Sequence, residues 1–600
     1  MAKQKTKLRD VVKDPDLVKK ITQSFSDLRA DFDLSLEASA EKINELTETH
    51  VDVKDYLSRL ISHTGSSSGV LQGLRGTGKT HLFLLARHEI NNNLFKTGDL
   101  VIYLNAKKIS LPQNTNPEIF NRVFSNFLLN GVVEHLQKIL KTASTQSAWQ
   151  KLKNYVSAES LTNRLSDTIQ ILIEMQNALL SGTRIVENYE AGEQKVNMQL
   201  KELIEAFESM TASIGLSSAS AKLSAQKKEV SEKTLSKEES SKYISYLDIN
   251  HISSILKRII SALNIKSITF YVDEWEKLYY ENSAQKNLAS YINKIIDNPI
   301  YFWIAYVPYR GNLDPLSVGN DLQHRIDLDE SLIYEIDKQS CLKYFQEFID
   351  KRLQHHLERP DIKNSVLMNS KKNFELLIMG SMGNPRDFGT ILVHAWNEFV
   401  NYRNTPLKRG GAFQYVSATM IKDAIKSDGE KKLTNFSSTP HAMLAWRDLE
   451  DFAIRNKTSH IAIEETPTNH IALNESDFSE LIYQRLFHKR MDRLSAKETS
   501  VENKLSIYAL SYSCTYDHHQ KDKRFQFITD YEDIHNRVRR YIYDPCLVIK
   551  KRKLNEGQIF PCTKCGFEIT AAMKFAWEKN ICPGCGSSIK SKDEQSPAEA

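Results

Sequence analysis

Apolar positions along the chain follow two different periods. Short stretches dominated by apolar residues occur at Val70-Leu71-Gln72, which reads as the end of a strand, and at Leu100 to Leu104, Ile268 to Val272 and Ile300 to Val307. Runs of that length without polar alternation are what strands buried on both faces of a parallel sheet require. Around them, apolar residues recur every three or four positions, the period of a helix with one buried face. Val51 to Ile61 fits such a helix, and His81 to Arg87 begins another directly after the first strand. Strands alternating with helices predict an α/β fold, a parallel sheet with helices on both faces.

After Leu104 this rhythm breaks. Val123, Phe127 or Leu128, Val132, Leu136 and Ile139 keep helical spacing, and Val196, Leu200, Leu203, Phe207 and Met210 step by four and three. The second stripe has the form of a helical hairpin or coiled-coil seam, so a helical insertion is expected over about 112–245. Within it, Thr211 to Lys242 is rich in Ser, Ala, Lys and Glu and reads as a linker, with a small hairpin as the alternative. Beyond the fourth strand, Leu332 to Leu357 and Lys372 to Phe399 predict helices of a lid over 331–405. Val416 to Ile425, His441 to Ile454 and Ser479 to Arg490 read as helices, then Leu505 to Leu510 and Phe525 to Ile528 as strands. Helices followed by a hairpin are the pattern of a winged helix, here over 406–553. Residues 1–50 read as a polar helical segment, 51–330 as the sheet domain, 556–590 as a small cysteine module and 591–600 as a disordered tail.

Six hundred residues exceed what one hydrophobic core organises, in agreement with several domains. The net charge of +5 excludes nothing by itself. No apolar run approaches the ~18 residues needed to cross a bilayer, so no membrane partner is expected. Met1 to Arg9 lacks the apolar segment of a secretory signal. Seven cysteines, four of them clustered near the C-terminus, suit a metal site in a reducing compartment, and the chain reads as cytoplasmic.

The chemistry centres on Gly73-Leu74-Arg75-Gly76-Thr77-Gly78-Lys79-Thr80, a match to G-x-x-x-x-G-K-[ST] between a strand and a helix. Gly73, Gly76 and Gly78 let backbone N–H groups turn toward one anion, with Thr77 and His81 in the same cradle. Lys79 neutralises phosphate oxygens and Thr80 ligates Mg²⁺, so the expected ligand is MgATP. Ile268 to Val272 ends in Asp273-Glu274. Asp273 at a strand end suits a Mg²⁺ ligand, and Glu274 suits the carboxylate that polarises an attacking water. Gly383-Asn384-Pro385-Arg386 opens a helix with an arginine near its start, placed to sense the γ-phosphate.

Two further sets carry chemistry. Cys562-x₂-Cys565 and Cys582-x₂-Cys585, each followed by glycine, supply four thiolates for a closed tetrahedral Zn²⁺ site of structural type; an iron site or redox cysteines are the alternatives. Arg485, Lys489, Arg490 and Arg493 lie on or just after the expected recognition helix and are nucleic-acid candidates. A second basic cluster spans Arg537, Arg539, Arg540 and Lys550 to Lys553.

Taken in order, the phosphate loop, the Asp273-Glu274 strand, the strand ending Tyr306-Val307-Pro308-Tyr309-Arg310 and the Gly383–Arg386 helix start resemble the origin-recognition-type branch of the AAA+ ATPases, close to the STAND signalling ATPases of bacterial type. The resemblance covers about 50–400 and fades toward 550. It implies an αβα nucleotide domain, a helical lid, and ATP-dependent oligomer assembly or DNA engagement, with relatives in phage-defence or mobile-element loci. The family's first γ-phosphate sensor is a small polar residue, whereas this chain offers Tyr306, Tyr309 or Arg310, and Arg310 or Arg325 as an arginine finger. The expected function is a Mg²⁺-dependent ATPase coupled to DNA engagement through the winged helix and zinc ribbon, as a homo-oligomer and with a separate effector protein. The alternative is an ATP-switched signalling scaffold that works through protein contacts without DNA.

Overall fold

A computed structural model gives the fold. It describes residues 8–29, 40–109, 117–143, 157–180, 249–280, 283–368, 370–402, 415–436, 439–495, 504–562, 564–570, 573–579 and 581–588. They fall into two compact units. One comprises Ala30–Ser331 with Gln346–Lys363, and the other Met1–Arg29, Leu332–Phe345 and Asn364–Ala600.

The first unit is built on five parallel strands, β1 (Gly69–Gln72), β2 (Asp99–Asn105), β3 (Ser267–Asp273), β4 (Ile300–Tyr306) and β5 (His324–Asp327). Their order across the sheet is β2-β3-β4-β1-β5. The four apolar runs of the sequence are β1 to β4, and β3 is buried at every position. His324-Arg325-Ile326-Asp327 forms β5 without an apolar run, because an edge strand needs only its inward face covered. Leu60, Phe83, Tyr271 and Trp303 pack on one face of the sheet, and Phe124, Leu129, Leu256, Phe270 and Phe302 on the other. Each such side chain contributes about 1.5–3 kcal/mol of burial. The sheet is therefore a two-sided α/β layer, as the strand–helix rhythm implied.

Helices Pro117–Ala143 and Ala158–Leu180 are the described part of the insertion after β2. Val132 and Leu136 are buried there, while the Val196–Met210 stripe and the Thr211–Lys242 linker lie outside the described residues, as does the 591–600 tail.

In the second unit, helix Pro15–Arg29 packs on helix Pro385–Tyr402. Phe25 meets Trp396 edge-on at 5.5 Å, and Trp396 Nε1 donates to Thr22 Oγ1 at 2.9 Å. Helices Lys371–Gly380 and Ala418–Phe436 complete this helical part. There follow helix Pro440–Asn456, β6 (His460–Glu464), helices Pro467–Asn474 and Ser476–Tyr483, then β7 (Phe487–Ser495) and β8 (Lys504–Leu510). The three strands form an antiparallel sheet in the order β6-β8-β7. A last antiparallel pair, β9 (Ile559–Pro561) and β10 (Glu568–Thr570), carries the cysteine module.

Two expectations are corrected here. The helix expected over Ser479 to Arg490 stops at Tyr483, and Arg485 takes a φ of +62°, which no helix interior accommodates. From Phe487 the chain runs extended as β7, the partner of β8. Phe525 to Ile528, expected as that partner, makes only an isolated bridge, Thr458 to Gln526. Among the described residues no helix is long and apolar enough to cross a bilayer.

Gly429 sits inside helix Ala418–Phe436, where a Cβ would lie 2.1 Å from the Ser513 carbonyl oxygen. Helix propensity alone predicts a gain of about 1 kcal/mol for Gly429→Ala. The backbone contact reverses that sign, and the expected outcome is a loss of about 1–3 kcal/mol. The unfolding midpoint in urea checks it.

Candidate functional site

β1 delivers the chain into the loop Gly73–Gly78, and helix Lys79–Asn92 leaves it. Gly76 and Gly78 have φ of +89° and +103°, values that side-chain-bearing residues rarely adopt, so the loop needs its glycines. Lys79 Nζ donates to the carbonyls of Gly73 (2.7 Å) and Leu74 (3.1 Å), and Thr77 Oγ1 donates to Leu74 O at 2.9 Å. Leu74 N–H in turn donates to both Asp329 carboxylate oxygens at 2.9 Å. A charge-bearing loop is thus held at a helix N-terminus, where the aligned peptide dipoles favour an anion.

The adjacent strand end supplies the cation-binding side. Thr80 Oγ1 donates to Asp273 Oδ2 at 2.5 Å, Tyr103 Oη donates to the same oxygen at 2.8 Å, and Glu274 N–H donates to Asp273 Oδ1 at 2.8 Å. Burial pushes the Asp273 carboxyl above its ordinary pKa, with the negative Glu274 adding to the shift, while the Thr80 and Tyr103 donors oppose it. A hydroxyl and a carboxylate brought together at the end of a buried strand are the hard oxygen donors that Mg²⁺ takes, so Thr80 and Asp273 fit that ion. Glu274 follows with a φ of +59°, a conformation that costs a non-glycine residue about 1–3 kcal/mol and recurs at functional sites. Its carboxylate stays partly exposed, 3.7 Å from Lys277 Nζ.

Glu276, unnoticed in the sequence, belongs to the same region. It is 5% exposed, its Oε2 makes no hydrogen bond, and burial raises its pKa against the pull of the Lys79 charge. The signal was present as a second acid two residues after Glu274, but nothing in the pattern showed it would be inside. Tyr103 was read only as part of an apolar strand.

Other sequence-predicted residues are placed differently. The half-buried His81 ring lies against His50, Nε2 to Nδ1 3.0 Å, and loss of hydration keeps both rings well below the ordinary imidazole pKa. Tyr306 Oη donates to Gln72 Oε1 at 2.8 Å at the ends of β4 and β1. Arg310 is 2% exposed, lies over the rings of Tyr279 and Tyr280 at 4.8 and 5.0 Å, and donates to Tyr280 Oη. A guanidinium so enclosed does not reach out as a finger. Arg325 pairs with Asp327 at 2.6 Å.

Arg386 belongs to the second unit, in the first turn of helix Pro385–Tyr402. Its side chain is partly exposed while every neighbour from Ser381 to Gly389 is buried. The nucleic-acid candidates divide. Arg485 Nε donates to Asp387 Oδ1 and Oδ2 at 3.1 and 3.0 Å, and Arg490 is 4% exposed against Glu335. Their charges are thus spent inside the unit, on a turn and a strand and not on a recognition helix. Lys489 and Arg493 stand at the surface of β7, with Lys489 3.2 Å from Asp492. The second basic cluster is likewise part-consumed: Arg552 clasps Asp477 at 2.8 and 3.0 Å, Lys553 pairs with Glu475 at 2.8 Å and Lys550 with Glu568.

The cysteine module brings its four thiols together. Cys562 Sγ lies 3.7 Å from Cys585 Sγ, Cys565 Sγ lies 3.6 Å from Cys582 Sγ, and all four fall within 4.8 Å of one another. Thiolates about 2.3 Å from a tetrahedral Zn²⁺ stand close to that far apart, so the residues fit the ion. Each Cys-x₂-Cys-Gly turn is closed alike, by Gly566 N–H to Cys562 O and Gly586 N–H to Cys582 O, both 2.8 Å. Gly566 and Gly586 have φ of +72° and +68°. The small core under these turns is Cys562, Ile569, Ala576 and Cys582. So little apolar area cannot hold a fold alone, and the metal would supply the difference.

Two measurements follow from these geometries. Elemental analysis is expected to find one Zn²⁺ per chain in this module, lost on Cys565→Ser, with amides of 559–588 then exchanging freely while nucleotide binding persists. Tyr103→Phe removes a donor that favours the charged Asp273. Its carboxyl is then expected to protonate at higher pH, so that the acid limb of Mg²⁺-dependent nucleotide affinity moves upward relative to the unmodified protein.

Comparison with known proteins gives the family. No curated protein matches the chain. A solved structure described as the Aeropyrum pernix ORC1 protein in complex with DNA is 12% identical, with a TM-score of 0.33, covering 80% of this chain and 95% of that one. A family model described as ORC-CDC6-like matches residues 36–560, most of the length, across both units. The chain belongs to the ORC-CDC6-like family of AAA+ P-loop ATPases.

Proposed function

We propose that this protein is a Mg²⁺-dependent ATPase that couples ATP binding and hydrolysis to DNA engagement and to assembly with further copies of itself. The observation that carries the reading is the Thr80–Asp273 contact of 2.5 Å beside Lys79. Lys79 and the loop N–H groups bind the phosphates, and Thr80 with Asp273 holds the ion. Mg²⁺, when bound, neutralises charge on the phosphate oxygens. Glu274, partly exposed at the strand end, orients the attacking water and accepts its proton. Arg386 acts as the γ-phosphate sensor from the lid.

DNA engagement rests on the second unit. A helix, β6, two helices, then β7 and β8, with the sheet ordered β6-β8-β7, support a winged-helix reading. Basic residues available for phosphate contact are Lys489 and Arg493 on β7, with Arg540 and Lys551 exposed elsewhere in the unit. A role in phage defence or on a mobile element, and a separate effector protein, extend it to the pathway.

The test is ATP hydrolysis by purified protein with and without duplex DNA. Glu274→Gln is expected to lower turnover by about 10²-fold or more while ATP still binds. Lys489→Glu with Arg493→Glu is expected to weaken DNA binding and reduce its salt slope by about two. Turnover and assembly that respond to ATP, with no affinity for duplex at low salt, would replace this proposal by the protein-scaffold reading.

A further inference from the structure

The second unit buries two clusters of charge that meet one short loop. Ser381 to Asp387 leads from helix Lys371–Gly380 into helix Pro385–Tyr402 and carries Arg386. Before the arginine, the loop is gripped at Met382. Arg490 Nη1 donates to Met382 O at 3.0 Å, and Tyr512 N–H donates to Met382 Sδ at 3.4 Å. After the arginine it is gripped at Asp387, whose carboxylate receives Arg485 Nε on both oxygens and Lys432 Nζ at 2.8 Å. Between the two grips the backbone has no slack. Met382 and Gly383 have φ of +54° and +79°, and a Cβ on Gly383 would lie 1.9 Å from Leu332 O. Asn384 Oδ1 accepts from Arg386 N–H at 3.1 Å and starts the helix.

Each grip is a closed, electrically balanced cluster. Glu335 accepts from Arg490 Nε at 3.0 Å and from its Nη2, and takes a third bond from His460 Nε2–H at 3.0 Å. Asp387 and Asp428 together balance Lys432 and Arg485, with Lys432 2.9 Å from Asp428. Glu335 and Asp387 are each 2% exposed. Buried ion pairs of this kind roughly break even with apolar packing in stability. What they add is geometry, because a guanidinium fork holds its partners in fixed directions where a point charge does not.

We infer that Arg485 and Arg490 are positioning residues for Arg386: they fix the loop on either side of it, so that strand β7 and its preceding turn determine where the sensor guanidinium can reach. The inference rests on the sensor reading of Arg386. It also assigns a reason for two basic residues of the DNA-candidate set to turn inward, Arg490 buried and Arg485 half-buried. The strand that presents Lys489 and Arg493 outward holds the sensor loop with its inward residues, so a ligand on the outer side of β7 acts on the strand that orients Arg386.

The test is a double-mutant cycle read in nucleotide affinity, which needs neither turnover nor DNA. ATP and ADP dissociation constants are measured by displacement of a fluorescent nucleotide from the full chain. Arg386→Ala is expected to lower the preference for ATP over ADP. Arg490→Lys keeps the buried charge and loses the fork. It is expected to lower the same preference at least about fivefold alone, and by less than about twofold when Arg386 is already alanine. Arg485→Lys repeats the comparison. If either lysine variant fails to unfold cooperatively, Asp387→Asn, which preserves side-chain shape, takes its place. A folded variant with unaltered preference overturns the inference, and so does a loss of equal size in both backgrounds. A preference that Arg386→Ala leaves untouched overturns the sensor reading itself, and this inference with it, a result distinct from the other two.

Discussion

A hydrogen bond between Thr80 Oγ1 and Asp273 Oδ2 joins the two halves of the nucleotide site, and the first unit is arranged so that it forms. Its partners are far apart in sequence. They meet because β1 and β3 are parallel strands of one sheet, separated by β4 alone, and both end at the same edge. Open parallel sheets bind ligands outside the carboxyl ends of their strands, where successive connections diverge. Here β1 sends its connection outward to β2, and the chain returns through β3 and β4 before crossing to β5. The long insertion after β2 is tolerated for the same reason. It leaves and re-enters the sheet without altering the register of β2 on β3, from Asp99 opposite Ser267 to Asn105 opposite Asp273.

Charge burial follows different rules in the two units. In the first, Asp273 and Glu276 are acids held out of water, Glu276 within reach of the Lys79 charge, and desolvation raises the pKa of both. Carboxylates in that condition are ready for a divalent cation, which provides the missing positive charge. In the second unit the acids are already matched. Arg490 and His460 outweigh burial at Glu335 and hold it down to about 2, and Arg485 with Lys432 depresses Asp387. Matched clusters give little net stability, and their hydrogen bonds fix the directions in which their partners lie. That suits a unit whose proposed task is to hold one loop in one place.

The cysteine module shows a third economy. Its hairpin and two tight turns enclose almost no apolar volume, and four convergent thiols replace a core. Lys550 on helix Pro545–Asn555 reaches Glu568 of β10, and Arg552 on the same helix clasps Asp477 in the preceding domain. The module is thereby tied to helix Ser476–Tyr483 through one basic helix, which uses charges that from sequence looked available for nucleic acid.

The local features of this protein were determined by sequence alone. Short stretches dominated by apolar residues specify β1 to β4, because a strand buried on both faces admits no regular polar alternation. The phosphate loop and the paired Cys-x₂-Cys turns are legible because glycine at positive φ and a two-residue thiol spacing are local requirements that few other sequences meet. The acidic pair at Asp273-Glu274 could be placed because a strand end is also local. Tertiary structure decided the rest. Phe487 to Ser495 alternates too weakly to be told from a helix until β8 pairs with it. Arg310, Arg485, Arg490 and Arg552 look like surface cations in sequence, and only their partners, Tyr279 and Tyr280, Asp387, Glu335 and Asp477, put them inside. Glu276 became part of the nucleotide region only through its burial. Backbone conformation at a tight turn depends on the residue that occupies it, whereas the fate of a charge depends on what the fold places opposite it.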